Sequence, residues 1–140
     1  MNEQEKKSVE RLLRRNPNPL EEDRVKELLR IHLESEGWNV KVKWGKAQGV
    51  DIVATKAAGR WVIEAKGWAG GSEQQQGNYF LQAVCELLQR MDREETKYSL
   101  AFPELPRFRG LWERFPLLAK RRTAISCLFV AEDGKVVEEQ

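Results

Sequence analysis

Asp51, Glu64 and Lys66 stand at the ends of two short apolar segments, and residues of these types could together hold a divalent cation and act on a phosphate. The stretch Gly49-Val50-Asp51-Ile52-Val53-Ala54-Thr55 leads into Ala57-Ala58-Gly59, and Arg60-Trp61-Val62-Ile63-Glu64-Ala65-Lys66 returns from it. Apolar, β-branched runs around a small-residue turn predict a β-hairpin. With the turn centred near Ala58, Asp51 falls roughly opposite Glu64, and the two-residue period of a strand puts Lys66 on the face of Glu64. Facing carboxylates weaken a hairpin, so the pair calls for a counter-charge. Magnesium or manganese supplies one, since these ions take hard oxygen ligands, typically one or two carboxylates with water and substrate phosphate. The backbone carbonyl of Ala65 would point between the two side chains as a further oxygen ligand.

The elements that must position these groups follow in order along the chain. Residues 3–15 carry Val9, Leu12 and Leu13 among many charges and predict a helix, stopped by Asn16-Pro17-Asn18-Pro19. Residues 1–18 therefore form an N-terminal helical arm, and residues 19–140 a single domain. In that domain Asn18 is the expected N-cap of the next helix, Pro19 its first residue and Glu21 its N3 acid. The helix runs to about Glu36, stops at Gly37, and turns Val25, Leu28, Leu29, His32 and Leu33 inward. A strand over 38–44 precedes the hairpin. Beyond it, Gly67-Trp68-Ala69-Gly70-Gly71 links to Ser72-Glu73-Gln74-Gln75, a capping box opening a helix with Phe80, Val84, Leu87, Leu88 and Met91 as its apolar stripe. A strand over 97–102, helical residues 107–121 broken at Pro116, a buried strand over 124–131 and a short final strand complete the chain.

Asp51, the Glu64-Ala65-Lys66 triplet and the order helix, three strands, helix, strand resemble the PD-(D/E)xK, or restriction-endonuclease-like, nuclease superfamily. The likeness is greatest to its RecB-like, Mrr-like and junction-resolvase-like members. Gly49-Val50-Asp51 stands where the motif has Pro-Asp, and the resemblance covers the chain from about Pro19 onward. It implies an α/β fold with an αβββαβ core, a mixed central sheet and flanking helices. It also implies phosphodiester hydrolysis with Mg²⁺ or Mn²⁺ bound by Asp51, Glu64, the Ala65 carbonyl and an acid of the first helix, for which Glu22 is the choice. Lys66 would orient the attacking water and neutralise developing charge, and is favoured as a positioning group over a base. Gln75 and Tyr79 match the glutamine and tyrosine motif that helps wall the active site in RecB-like members. Gln82 and Glu86 continue the same helix face at i+7 and i+11.

Composition sets outer limits. With 41% hydrophobic and 33% charged residues the chain reads as one soluble domain. It has no apolar run long enough to span a membrane, and its first residues lack the apolar core of a secretory signal, so a cytoplasmic setting is expected. Cys85 and Cys127 lie in apolar stretches and read as buried thiols. A single histidine, His32, excludes chemistry built on several histidines and argues against structural zinc. No phosphate-binding Gly-x-x-x-x-Gly-Lys-Ser/Thr string exists, so no nucleotide cofactor is expected.

The formal charge of +2 is small but uneven. Arg107, Arg109, Arg114, Lys120, Arg121 and Arg122 stand together with Glu113 as the one acid among them, a candidate DNA phosphate-facing surface. Phe108, Leu111, Trp112 and Phe115, interleaved at helical spacing, predict a core stripe. Three function classes follow: a metal-dependent deoxyribonuclease of restriction, repair or recombination; a catalytically silent DNA-binding or accessory module of the same fold; and an α/β protein unrelated to nucleic acid. A chain this short is expected to need a second copy, as a homodimer, or a partner to engage both DNA strands.

Overall fold

The computed structural model describes residues 2–5, 20–45 and 48–140. The expected arm over 1–18 and the Asn18–Pro19 helix start lie, apart from 2–5, outside the described residues. The described elements are α1 (Glu22–Ser35), β1 (Asn39–Val42), β2 (Ile52–Lys56), β3 (Gly59–Ala65), α2 (Glu73–Gln89), β4 (Thr96–Pro103), α3 (Pro106–Arg114), α4 (Leu117–Thr123), β5 (Ser126–Val130) and β6 (Val136–Glu139). The six strands form one mixed sheet in the order β1-β2-β3-β4-β5-β6. β1, β2 and β3 are antiparallel neighbours, β3, β4 and β5 run parallel, and β6 returns antiparallel to β5. The αβββαβ order expected from the sequence is thus present.

Strand alternation divides the core in two. Ile52, Ala54, Trp61, Ile63 and Ala65 face one side and pack with Val25, Leu28, Leu29 and Leu33 of α1. Val62, Leu100, Phe102, Cys127 and Phe129 face the other and meet Phe80, Ala83 and Leu87 of α2 with Phe108 and Trp112 of α3. There Phe102 stacks on Phe108 with ring centroids 4.7 Å apart. Each fully buried aromatic or aliphatic side chain of this kind contributes about 1.5–3 kcal/mol, so both helix layers are firmly seated. The Phe108 and Trp112 stripe is core, as its spacing predicted.

Four local expectations are corrected. α1 begins at Glu22, with Glu21 in the N-cap position, because Leu20 is buried and its carbonyl accepts from the Trp68 N–H at 2.8 Å, which holds the chain extended there. Glu21 is therefore not an N3 acid. Cys85 is exposed, whereas Cys127 is buried. Leu88 is exposed as well, because the inward face of α2 runs through Phe80, Ala83 and Leu87, and Leu81, Cys85 and Leu88 fall on the outward one. His32 is only partly buried and lies 3.0 Å from Glu36 one turn on, at the edge of the inner face. Among the described residues no helix is long and apolar enough to cross a membrane.

Candidate active site

The hairpin forms with Lys56 paired to Gly59 and Ile52 to Ile63, so Asp51, one residue before β2, falls level with Glu64 near the end of β3. The Asp51 Oδ2 accepts from the Ala65 N–H at 2.9 Å, which fixes that carboxylate against the strand. A strand residue's N–H and C=O point the same way, so the Ala65 carbonyl also looks toward Asp51. Glu64 is on the α2 side of the sheet with Val62, and it is 1% exposed. Burial first, and then the Asp51 carboxylate beside it, push its carboxyl up to about 8, against a smaller opposing pull from Arg90. Glu64 is thereby held toward its protonated form at neutral pH.

The Arg90 guanidinium reaches Glu64 from the end of α2 at 3.3 Å and also donates to the Gly49 carbonyl at 3.2 Å. Lys66, half-buried, places its Nζ 3.3 Å from Glu86 Oε2. On the other flank Lys26 of α1 is 1% exposed, and its Nζ donates to the Lys43 carbonyl at 2.6 Å. The same ammonium lies 3.1 Å from Glu22 and 3.5 Å from Asp51 Oδ1. Burial opposes its charge, but Asp51, Glu22 and Asp23 outweigh that and hold its pKa above the ordinary lysine value. Gly67, directly after Lys66, passes so close to the start of α1 that a Cβ there would run into the backbone of Glu21 and Glu22. That close approach brings Glu22 to the same opening.

These groups line one cleft of about 380 Å³, with Glu22, Asp51, Glu64, Lys66, Gln82, Glu86 and Arg90 in its wall. The structure thus places Asp51, Glu64, Lys66 and Glu22 in one cleft wall, with Ala65 tied to Asp51 through its N–H. Tyr79 and Gln82 border an adjoining hollow of about 230 Å³ that also touches Glu22 and Lys66. Gln75 lines neither cavity. Its side chain donates to the Tyr79 hydroxyl at 3.0 Å, while its N–H is capped by Ser72, so it braces Tyr79 and leaves Gln82 nearer the acids. The helix starts at Glu73 despite Gly77 within it.

Hard oxygen donors suit a divalent cation, and Asp51, Glu64 and the Ala65 carbonyl would form that ligand set. Among the described residues no group of three His, Cys, Asp or Glu is placed to hold a metal. Glu22 instead lies 3.1 Å from the Lys26 ammonium. Lys26, Arg90 and Glu86 were not singled out as members of the site from the sequence. Lys26 did carry a signal, since it sits four residues after Glu22 and three before Leu29, a lysine inside an apolar stripe. Glu86 was visible on the Tyr79–Gln82 helix face. Arg90, at the helix end, gave none.

The six basic residues do not act as one surface. Arg109 is engaged within the fold: it pairs bidentately with Glu104 at 2.7 and 2.9 Å, meets Glu139 at 2.8 Å and lies over the Phe129 ring. The hydrogen bonds that Arg109 donates to Glu104 raise its pKa and outweigh the opposing effect of burial. Lys120 lies over Trp112, 4.3 Å from the ring centroid. Arg107 approaches Gly77 of α2, and its Nε is buried without a hydrogen-bond partner among the described residues. Arg114, Arg121 and Arg122 are exposed, with no ion-pair partner among the described residues.

The chain has likeness to known structures in fold. A crystal structure of an XisH family protein from Nostoc punctiforme is similar at a TM-score of 0.53 and 18% sequence identity, over 81% of this chain and 95% of that one. A crystal structure of an fdxN element excision controlling factor protein from Anabaena variabilis is similar at a TM-score of 0.55 and 16% identity, over the same shares of 81% and 95%. No family model and no curated protein matches the sequence. At these identities the likeness establishes the shared mixed α/β fold.

Proposed function

We propose that this chain is a small deoxyribonuclease of the PD-(D/E)xK type that hydrolyses DNA phosphodiesters with a divalent cation held by Asp51 and Glu64. The observation that carries the reading is the carboxyl pair, in which Glu64 is buried beside Asp51 with its pKa pushed up to about 8 at an open cleft. Buried, strongly perturbed carboxyls in a cleft cluster at sites that bind or react. A bound Mg²⁺ or Mn²⁺ would polarise the scissile phosphate and lower the pKa of a water. Lys66, steadied by Glu86, neutralises charge developing on the phosphate and orients the water. Tyr79 and Gln82 form the wall against which the substrate backbone lies. Arg114, Arg121 and Arg122 offer free positive charge to DNA phosphates. The fold likeness to an excision controlling factor supports a setting in excision or recombination.

One observation favours a second reading, a nuclease-fold accessory module without turnover. Lys26 stands 3.5 Å from Asp51 and Arg90 3.3 Å from Glu64, so cationic side chains already accompany both acids. Incubation with plasmid, linear, single-stranded and branched DNA, with Mg²⁺, Mn²⁺ or chelator, separates the two. Metal-dependent cleavage lost in Asp51→Ala and Lys66→Ala supports the enzyme. Salt-sensitive DNA binding with no product in either metal rules it out and leaves the module.

A further inference from the structure

Lys26 is enclosed by oxygen. Its Nζ lies 2.6 Å from the Lys43 carbonyl, 3.1 Å from Glu22, 3.5 Å from Asp51 Oδ1 and 3.9 Å from Asp23 Oδ1. A backbone carbonyl and two carboxylates lie within 3.5 Å of one point, oxygen donors of the kind that a hard divalent cation takes, while the third carboxylate, Asp23, accepts from the Gly45 N–H. Here an ammonium fills that point, on a residue that is 1% exposed. Removing an ammonium from water is costly, and a lysine this deep persists only where paired acids compensate it. The point lies on the α1 flank of Asp51, whereas Glu64, Arg90 and Lys66 approach from the α2 flank.

We propose that Lys26 is a resident cation occupying a second ion position of this acidic cluster, which commits Glu22 and one oxygen of Asp51 to itself. The site then admits one exchangeable divalent ion, on the Glu64 side. That last clause rests on the proposed metal binding by Asp51 and Glu64; the placement of Lys26 does not. Its role is positioning: it clamps Asp51 Oδ1 while the Ala65 N–H clamps Oδ2.

The test counts bound Mn²⁺ per folded chain by calorimetric titration without DNA, in wild type, Lys26→Met and Lys26→Arg. Lys26→Met is expected to bind one more Mn²⁺ than wild type, and Lys26→Arg the wild-type number. An unchanged count in folded Lys26→Met overturns the proposal. The wild-type count tests the other reading separately: one ion agrees with the Asp51–Glu64 pair as a metal site, and none sinks that reading while leaving the increment in Lys26→Met to decide on Lys26. Should Lys26→Met not fold, the side-chain ammonium resonance of Lys26 in ¹⁵N-labelled wild type decides. A sheltered signal that stays in place at saturating Mg²⁺ and moves in Glu22→Gln is expected. A signal lost to solvent exchange, or unaffected by Glu22→Gln, overturns the assignment.

Discussion

The cleft between α1 and α2 and the α3–α4 segment both concentrate charge, yet they use it in opposite ways. In the cleft the charges are buried, opposed and crowded: Glu64 and Lys26 are each 1% exposed, and every carboxylate there has a cation or a second acid beside it. Along α3 and α4 the more densely charged sequence serves the fold at Arg109 and leaves Arg114, Arg121 and Arg122 in solvent. Burial, more than the count of charges, separates a site from a solvated helix face. A charge out of water must be matched by its surroundings, while an exposed one is screened within about 10 Å.

The sharpest way to break this contrast is to remove charge on each side. Asp51→Asn should lower DNA cleavage on the order of 10²–10³-fold, the scale of losing one preorganised electrostatic group, measured as initial rates on plasmid. Arg121→Ala with Arg122→Ala should weaken DNA binding without abolishing cleavage. It should also flatten the salt dependence of binding by about one unit for each phosphate no longer neutralised, read from log–log salt titrations. A loss of catalysis equal to that of Asp51→Asn would make the helical segment part of the site.

Arg109→Ala tests the other half of the comparison. Losing its half-exposed ion pairs and its packing on Phe129 should cost about 1–2 kcal/mol of stability, visible in denaturant unfolding, with DNA affinity changed little.

Glu64 sharpens the comparison through pH. Its folded pKa of about 8 lies above its ordinary 4.5, so the native state holds an extra proton between those values. Its stabilising contribution is complete below pH 4.5 and is lost as pH rises through 8. In chelator, the Tm of wild type should fall relative to Glu64→Gln between about pH 5 and pH 9, followed by circular dichroism. A constant difference would show that the carboxyl is solvated.

Much of this was legible in local pattern. The turn at Ala57-Ala58 and the two-residue alternation placed Asp51 level with Glu64 and gave Glu64 and Lys66 one face, because a short hairpin leaves little freedom of register. The apolar spacing of α2 and α3 announced the aromatic core. The helix start at Glu22 did not follow from the Asn18-Pro19 signal, since burial of Leu20 and its bridge to Trp68 outweigh a local cap. The outward turn of Cys85 and Leu88 was hidden too, because a helix rich in apolar residues leaves its own rotation undetermined until it docks.

By itself, then, the sequence determined the element order, the hairpin and the meeting of two acids and a lysine at its open end, all consequences of short-range periodicity. Only the tertiary structure decided that Lys26, Glu86 and Arg90 close on those acids, that Glu22 turns to Lys26, and that Arg109 belongs to the fold. Those outcomes depend on how two helix layers seat on opposite faces of one sheet, and packing between residues distant along the chain carries no spacing rule that a linear pattern could reveal.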